Sequence, residues 1–485
     1  MGSGFFEAAC EGSREIGFTV ISMTISLVAV FIPILFMAGL IGRLFREFAV
    51  TMGISILVSG FVSLTLTPML CSRFLRPPDE HPKGFYKISE SMFSAWLGLY
   101  DWTLRIVLRF RFLTMVVSLI LVLFTVHLFI IVPKGFMPAD DTGELVGYTE
   151  ADQSISYLDM VRHQQELAEI IGKDPNVLSY QSSVGTGGAS ATGNQGAISI
   201  YLKPRSERTL NADGVLEELR PKLQDVTGIK IYLQNPPSIN IGGIVTKSLY
   251  QYTLQGPDRK SLYEAGNALA VEMAKIPGLR DVTTDIQDAS PQVTVQVDRD
   301  KASLLGLTAD LIDTTLDSAY GTRQASTIYS PTNEYYVIVE VMPQFYSDPN
   351  VLSMLYAKSS STQKLIPLDT IAKFTRQSSP LLVNHLGQLP SVTVSFSLDP
   401  EMSLGTALPE VEKAAKKVLP ETITGSMAGT SQAFEQAFQG LMGLLVLAIL
   451  VIYIVLGILY ESFIHPVTIL AGLPSAGLGA LLTLM

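Results

Sequence analysis

The stretch with the greatest chemical potential runs Gly185-Thr186-Gly187-Gly188-Ala189-Ser190-Ala191-Thr192-Gly193-Asn194-Gln195-Gly196. A glycine-rich run can cradle a phosphate when its backbone N–H groups lead into a helix N-terminus. This one lacks a Gly-Lys-Ser/Thr ending and is followed by a strand-like segment, so phosphate binding is not expected. The glycines instead allow many backbone conformations at little steric cost, and the run reads either as a mobile gate or lining element or as a plain flexible loop. The five histidines are scattered, and no HExxH, paired CxxC, Walker loop or His/Cys/Asp/Glu set with ligand spacing occurs. No metal, no cofactor and no enzymatic constellation is expected. His127 is the one ionisable group in an otherwise apolar run, where such a residue is by default a functional hypothesis. No carboxylate lies on the neighbouring turns, so a proton bound there has no next station.

The segments flanking the loop must position it. Val177 to Ser183 reads as a strand before it and Ala197 to Leu202 as a strand after it. Around these lie a strand from Glu144 to Glu150, a helix from Tyr157 to Ile171 closed by Gly172, a helix from Ala212 to Leu223, and a strand from Ile229 to Gln234. The order is βαββαβ, the split βαβ or ferredoxin-like pattern. It then starts again: strand Ser248 to Gln255, helix Ser261 to Ile276, strand Gln292 to Asp298. Its second half comes later, as strand Ser391 to Leu398, helix Gly405 to Val418 and strand Thr422 to Ala428. An α+β segment from about Arg299 to Leu386 interrupts this second copy. The expected fold class is therefore an α-helical membrane protein carrying an α+β region with two ferredoxin-like units and an inserted α+β subdomain.

The membrane assignment follows from charge. Of 485 residues only 16% are charged and 48% are hydrophobic, against about 25% charged in an ordinary soluble protein. Uncharged runs extend over Gly17 to Gly42, Phe48 to Ser72, Phe112 to Val132 and Leu441 to Tyr460, and a fifth begins at Pro466 and continues to Met485. About 20 helical residues cross the hydrocarbon core. The first run is too long for a signal peptide and is followed at once by another. Between Arg73 and Arg111 lie Arg73, Arg76, Lys83, Lys87, Arg105, Arg109 and Arg111 against four acids, which places this link in the cytoplasm and Pro133 to Gly440 outside it. Within the link Phe85, Ile88, Met92, Phe93, Trp96, Leu97, Tyr100 and Leu104 recur at helical spacing, as in a helix lying on a membrane surface or packed on protein. The two cysteines, Cys10 and Cys71, lie outside Pro133 to Gly440, so that block must hold together by burial alone. A net charge of −10 argues against a nucleic-acid partner.

Five stretches carry a family resemblance: GRLFREFA from Gly42, SLTLTPM from Ser63, PKGFMPADDTG from Pro133, VDRDKASLLG from Val297 and YIVLGILYESFIH from Tyr453. They resemble the resistance-nodulation-division efflux pumps of the hydrophobe and amphiphile branch, in family order over essentially the whole chain. Ser63 to Met69 and Tyr453 to Pro474 are most similar to subunits that assemble as mixed trimers.

The resemblance implies an inner-membrane, proton-driven exporter of amphiphilic compounds in a Gram-negative cell, working as a homomeric or mixed trimer with a periplasmic adaptor and an outer-membrane channel. It implies two transmembrane helices in 1–72, a cytoplasmic link in 73–111, a third span in 112–132, and a first porter subdomain in 133–244. A second porter subdomain would lie in 245–298 and 387–440, a docking or funnel subdomain in 299–386, and two more spans, the last incomplete, in 441–485. The family's proton relay, a pair of aspartates facing a lysine, falls outside these segments, so no relay residue is assigned, and the 485 residues read as the middle of a longer chain. The glycine-rich loop is similar to the family's switch loop, which places Gln181, Gly185, Thr186, Gly187, Gly188, Asn194, Gln195, Gly196 and Ser199 along the substrate path. Positions often aromatic in well-known drug pumps are here Gln181, Thr186, Gly188 and Ser199, which implies a more polar pocket or a partner subunit that carries most drug binding. The competing reading is a membrane-anchored extracytoplasmic receptor or scaffold that binds without transporting.

Overall fold

The computed structural model describes residues 5–37, 39–74, 85–136, 140–185, 192–238, 243–346 and 348–484. Its first part is helical: α1 (Phe5–Ala29), the short α2 (Ile32–Leu35), α3 (Gly39–Phe74), α4 (Phe85–Arg109) and α5 (Arg111–Ile131). Pro33 opens α2 and separates it from α1, as expected of a residue that tolerates only the first turn of a helix. Met92, Phe93, Trp96, Leu97, Tyr100 and Leu104 of α4, apolar positions read from the sequence, are exposed.

The first α/β unit follows: β1 (Glu144–Ala151), α6 (Tyr157–Gly172), β2 (Val177–Val184), β3 (Gln195–Leu202), α7 (Ala212–Gln224) and β4 (Ile229–Gln234). Its sheet runs β2-β3-β1-β4 and is antiparallel throughout. Alternation along β1 and β3 sends Leu145, Ile198 and Ile200 to one face, where Met160, Leu167 and Ile171 of α6 and Leu219 and Leu223 of α7 meet them. Each helix is capped by its sequence. Ser156 Oγ accepts from Asp159 N at 3.1 Å, and Asn211 Oδ1 from Gly214 N at 2.9 Å, satisfying N–H groups that the first turn leaves free.

The chain then forms β5 (Tyr250–Gln255), α8 (Arg259–Met273, capped by Asp258) and β6 (Leu279–Thr284) before departing into the insertion. There β7 (Ser290–Val297) and helices α9 (Arg299–Leu304) and α10 (Ala309–Tyr320) are followed by β8 (Arg323–Tyr329), β9 (Glu334–Val339), β10 (Tyr356–Lys358), β11 (Leu365–Pro367) and β12 (Ala372–Ser379). Three two-stranded sheets result, β7 with β12, β8 with β9 and β10 with β11, around a small core that includes Ile312, Leu368 and Ile371. The chain returns through β13 (His385–Leu386), β14 (Leu389–Leu398), α11 (Leu404–Val418) and β15 (Thr424–Ala428). In the second sheet β5 lies between β14 and β15, and β6 pairs with β14. The order β6-β14-β5-β15 repeats that of the first sheet position for position. Its core centres on Leu254, Leu262, Leu269, Val394 and Phe396.

One strand differs from the sequence expectation. Gln292 to Asp298 alternates as a second-sheet strand should, but Ser290–Val297 pairs with Ala372–Ser379 at the start of the insertion. The sheet position is filled by Leu279–Thr284, whose residues do not alternate in burial. Asp281 there has φ +51°, a left-handed conformation that non-glycine residues seldom take.

From β15 the chain passes at Gly429 directly into α12 (Gly429–Tyr460), followed by α13 (His465–Leu470) and α14 (Leu473–Leu484). At 1.5 Å per residue the 32 residues of α12 extend about 48 Å. Its first turns belong to the second unit: Phe434 is buried in that core and meets Phe136 edge-on at 5.9 Å between centroids. One unbroken helix thus joins the second sheet to an apolar span. Among the described residues five helical stretches are long and apolar enough to cross a membrane: Ala9–Leu35, Gly42–Phe74, Arg111–Ile131, Gly429–Tyr460 and His465–Leu484.

Candidate functional site

The glycine-rich loop joins β2 to β3. Thr186, Gly187 and Gly188 lie outside the described residues, so its geometry is read from its two ends. Gly185 has φ +75°, which a Cβ would strain, and its N–H donates to Gln195 O at 2.8 Å; Gln195 N in turn donates to Thr192 O at 3.1 Å. At Gly196 a Cβ would sit 2.6 Å from Ser183 O and 2.8 Å from Thr149 Oγ1, so no larger residue fits there without movement.

The remaining site residues separate into two groups. Gln181 and Ser199 are direct partners across β2 and β3, on the sheet face opposite α6 and α7; Gln181 is exposed and Ser199 half-buried. Asn194 and Gln195 are buried, each 3% exposed, and work as anchors. Asn194 Nδ2 donates to Ala151 O and to Gln287 Oε1, both at 3.2 Å, while Gln195 Nε2 donates to Glu150 Oε1 at 3.0 Å.

Sequence reasoning missed what stands beside these residues. Val146 of β1 is opposite Ser199, and two positions along, Tyr148 faces Ala197 on one side and Tyr232 on the other. The face that looked polar from Gln181 and Ser199 therefore carries an aromatic pair from the two strands that follow. Burial raises the Tyr148 hydroxyl above its ordinary range, and burial together with the Glu150 charge pushes Tyr232 up to about 12; both stay protonated at neutral pH. The period-two pattern of β1 and β4 held this signal, since Tyr148 and Tyr232 fall on the alternate that avoids the helix face.

The two α/β units meet along a charged seam. Arg220 Nη1 of α7 donates to Asp281 Oδ2 of β6 at 2.7 Å. Arg280 pairs with Glu217 of α7 at 3.2 Å and with Asp399 after β14. Lys247 Nζ meets Glu150 Oε2 at 2.6 Å, with side chains 4% and 18% exposed. A cleft of about 340 Å³ opens along the seam, with Asp213, Glu217 and Gln234 on one side and Tyr250, Ser397 and Met402 on the other. Among the described residues no group of three or more His, Cys, Asp or Glu side chains is placed to hold a metal ion. His127 lies on an exposed position of α5.

Residues 2–485 match the AcrB/AcrD/AcrF family. The chain belongs to that family. The resistance-nodulation-division motifs at Gly42, Ser63, Pro133, Val297 and Tyr453 pointed to it. Its similarity to multidrug resistance protein MdtC of Yersinia pestis bv. Antiqua (strain Angola) and of Yersinia pseudotuberculosis serotype O:3 (strain YPIII) is 42% identity over 481 residues in each case. Those residues are 98% of this chain and 46% of each relative, so the chain spans about half the length of the relatives it matches. For this AcrB/AcrD/AcrF family chain the arrangement offers a half-buried sheet face with aromatic and amide groups, next to a cleft between two units held by ion pairs.

Proposed function

We propose that this chain is part of an inner-membrane efflux transporter that exports drugs or other amphiphilic compounds from the periplasm or membrane toward an outer-membrane channel. The observation that carries the reading is the seam: two units of matching strand order, each with its own apolar core, joined across an open cleft by ion pairs. An interface held by polar contacts beside an open cleft favours relative motion more than an apolar one does. Strand order with β1 between β3 and β4, repeated in the second sheet, supports ferredoxin-like porter subdomains in 133–244 and in 245–298 with 387–440. The separate core of 299–386 supports a docking subdomain. On this reading Gln181, Ser199, Tyr148 and the Gly185 to Gly196 loop line the substrate path, the block Pro133 to Gly440 is periplasmic, the assembly is trimeric with an adaptor, and protons drive it.

The test is drug tolerance. In a pump-deleted Gram-negative cell, the complete transporter polypeptide carrying this chain raises the tolerated dose of amphiphilic drugs, and replacing Gly185 to Gly196 by a rigid segment abolishes the gain. Thr186→Phe and Gly188→Phe shift the range toward apolar drugs. Ligand binding by the complete protein with no gain in tolerance for any compound would instead support a receptor.

A further inference from the structure

The Glu150 carboxylate receives donors from three separate parts of the chain. Gln195 Nε2, at the base of the glycine-rich loop, reaches Oε1 at 3.0 Å; Gln287 Nε2 reaches the same oxygen at 2.8 Å; Lys247 Nζ reaches Oε2 at 2.6 Å. Gln287 lies between β6 and β7, where the chain leaves the second unit for the insertion, and it forms an isolated bridge with Leu382 on the returning segment between β12 and β13. It is therefore at the neck of the inserted segment, and its side chain, 1% exposed, points out of the second unit into the first. Its Oε1 also accepts from Asn194 Nδ2 at 3.2 Å. Lys247 in turn donates to Thr284 O at 2.8 Å, just before the same neck.

The geometry points to Glu150 and Gln287 as positioning residues that clamp the base of the Gly185 to Gly196 loop to the neck of the inserted segment, so that movement of the neck is transmitted to the loop. Both loop ends ride on this clamp, because Gly185 N–H is bonded to the carbonyl of Gln195. A carboxylate suits this position because it accepts several donors at once, and its charge-assisted bonds are stronger than neutral ones. Lys247 supplies the neutralising charge that a buried carboxylate requires. Asn194 Oδ1 and Gln195 Oε1 have no partner among the described residues, so these two side chains enter the clamp as donors only, while the backbone carbonyl of Asn194 accepts from Ala151 N at 2.9 Å. The functional meaning of the clamp rests on the loop's place in the substrate path; the clamp itself does not.

The test uses the complete transporter polypeptide with Cys10 and Cys71, and any further cysteines, replaced by serine, and a nitroxide label on Gly188→Cys. In Gln287→Leu, and in the charge-balanced double variant Glu150→Gln with Lys247→Met, the mobile fraction of the label's spectrum rises about twofold. Glu272→Gln, remote from the loop, leaves the spectrum as in the parent. An unchanged spectrum in folded Gln287→Leu overturns the clamp; if that variant does not fold, the double variant is judged by the same criterion. A changed spectrum with drug export unaltered for every compound upholds the clamp and overturns the loop's place in the substrate path.

Discussion

Inside the first unit Leu145, Met160, Leu167, Ile171, Ile198 and Ile200 are fully sealed from solvent, and each such side chain contributes about 1.5–3 kcal/mol by leaving water. Along the seam the contacts are polar: Arg280 and Glu217 are 39% and 44% exposed, and exposed ion pairs contribute about 0–1 kcal/mol, while Arg220 with Asp281 and Lys247 with Glu150 are more enclosed and cost more to break from one side. The units are therefore held by apolar packing within and by polar contacts between. One chain can thus be rigid in its parts and movable at their junction. Apolar packing has one dense solution, whereas the exposed charged groups of the seam, Arg280 and Glu217, exchange partners for water at little cost.

The largest loss is expected inside a core. Phe396, fully buried and 5.8 Å from the Tyr250 ring, anchors the second core, and Phe396→Ala is expected to cost about 4 kcal/mol and to lower the thermal midpoint in detergent markedly. Next is an ion pair within a unit. Asp141 accepts from Arg208, whose side chain is 2% exposed, and from Ala212 N at 3.1 Å at the start of α7. Asp141→Asn strands that guanidinium and should cost about 3 kcal/mol. The Arg208 bond, more than any other cause, holds the Asp141 carboxyl below its ordinary value of 3.8. Because the folded pKa is the lower one, this stability is present above that value and is lost as pH falls through the depressed one. A thermal-midpoint series taken below about pH 4 should therefore fall less steeply in Asp141→Asn than in the parent.

The smallest effect belongs to the seam. Glu217→Gln removes the Arg280 pair, whose partners are 39% and 44% exposed, and should cost about 1 kcal/mol or less. A loss as large as that of Phe396→Ala would mean that the seam is part of a core and that the contrast fails.

Much of this was legible in the sequence, for physical reasons. The strands read over Glu144 to Glu150 and Ala197 to Leu202 and the helices over Tyr157 to Ile171, Ala212 to Leu223 and Ser261 to Ile276 are present in the structure, because period is a local property. The strand Leu279 to Thr284 was missed because Arg280 and Asp281 are turned to the seam and break the alternation. The seam itself was illegible. Glu150 and Lys247 stand 97 positions apart and Glu150 and Gln287 137 apart, and nothing local in a charged residue names its distant partner. The loop gave a partial signal: its glycines announced conformational freedom, while the burial of Asn194 and Gln195 and their bonds to Ala151 O and Glu150 depend on partners distant in the chain.

If the two units move against each other during transport, the seam must open. The most direct test places Glu217→Cys and Arg280→Cys in the complete transporter, with Cys10 and Cys71 and any further cysteines replaced by serine, and joins them with a short reducible bis-maleimide linker. Efflux of an amphiphilic dye should stop when the linker is in place and resume when reductant cleaves it. Complete crosslinking with efflux unchanged would mean that transport proceeds with the seam closed.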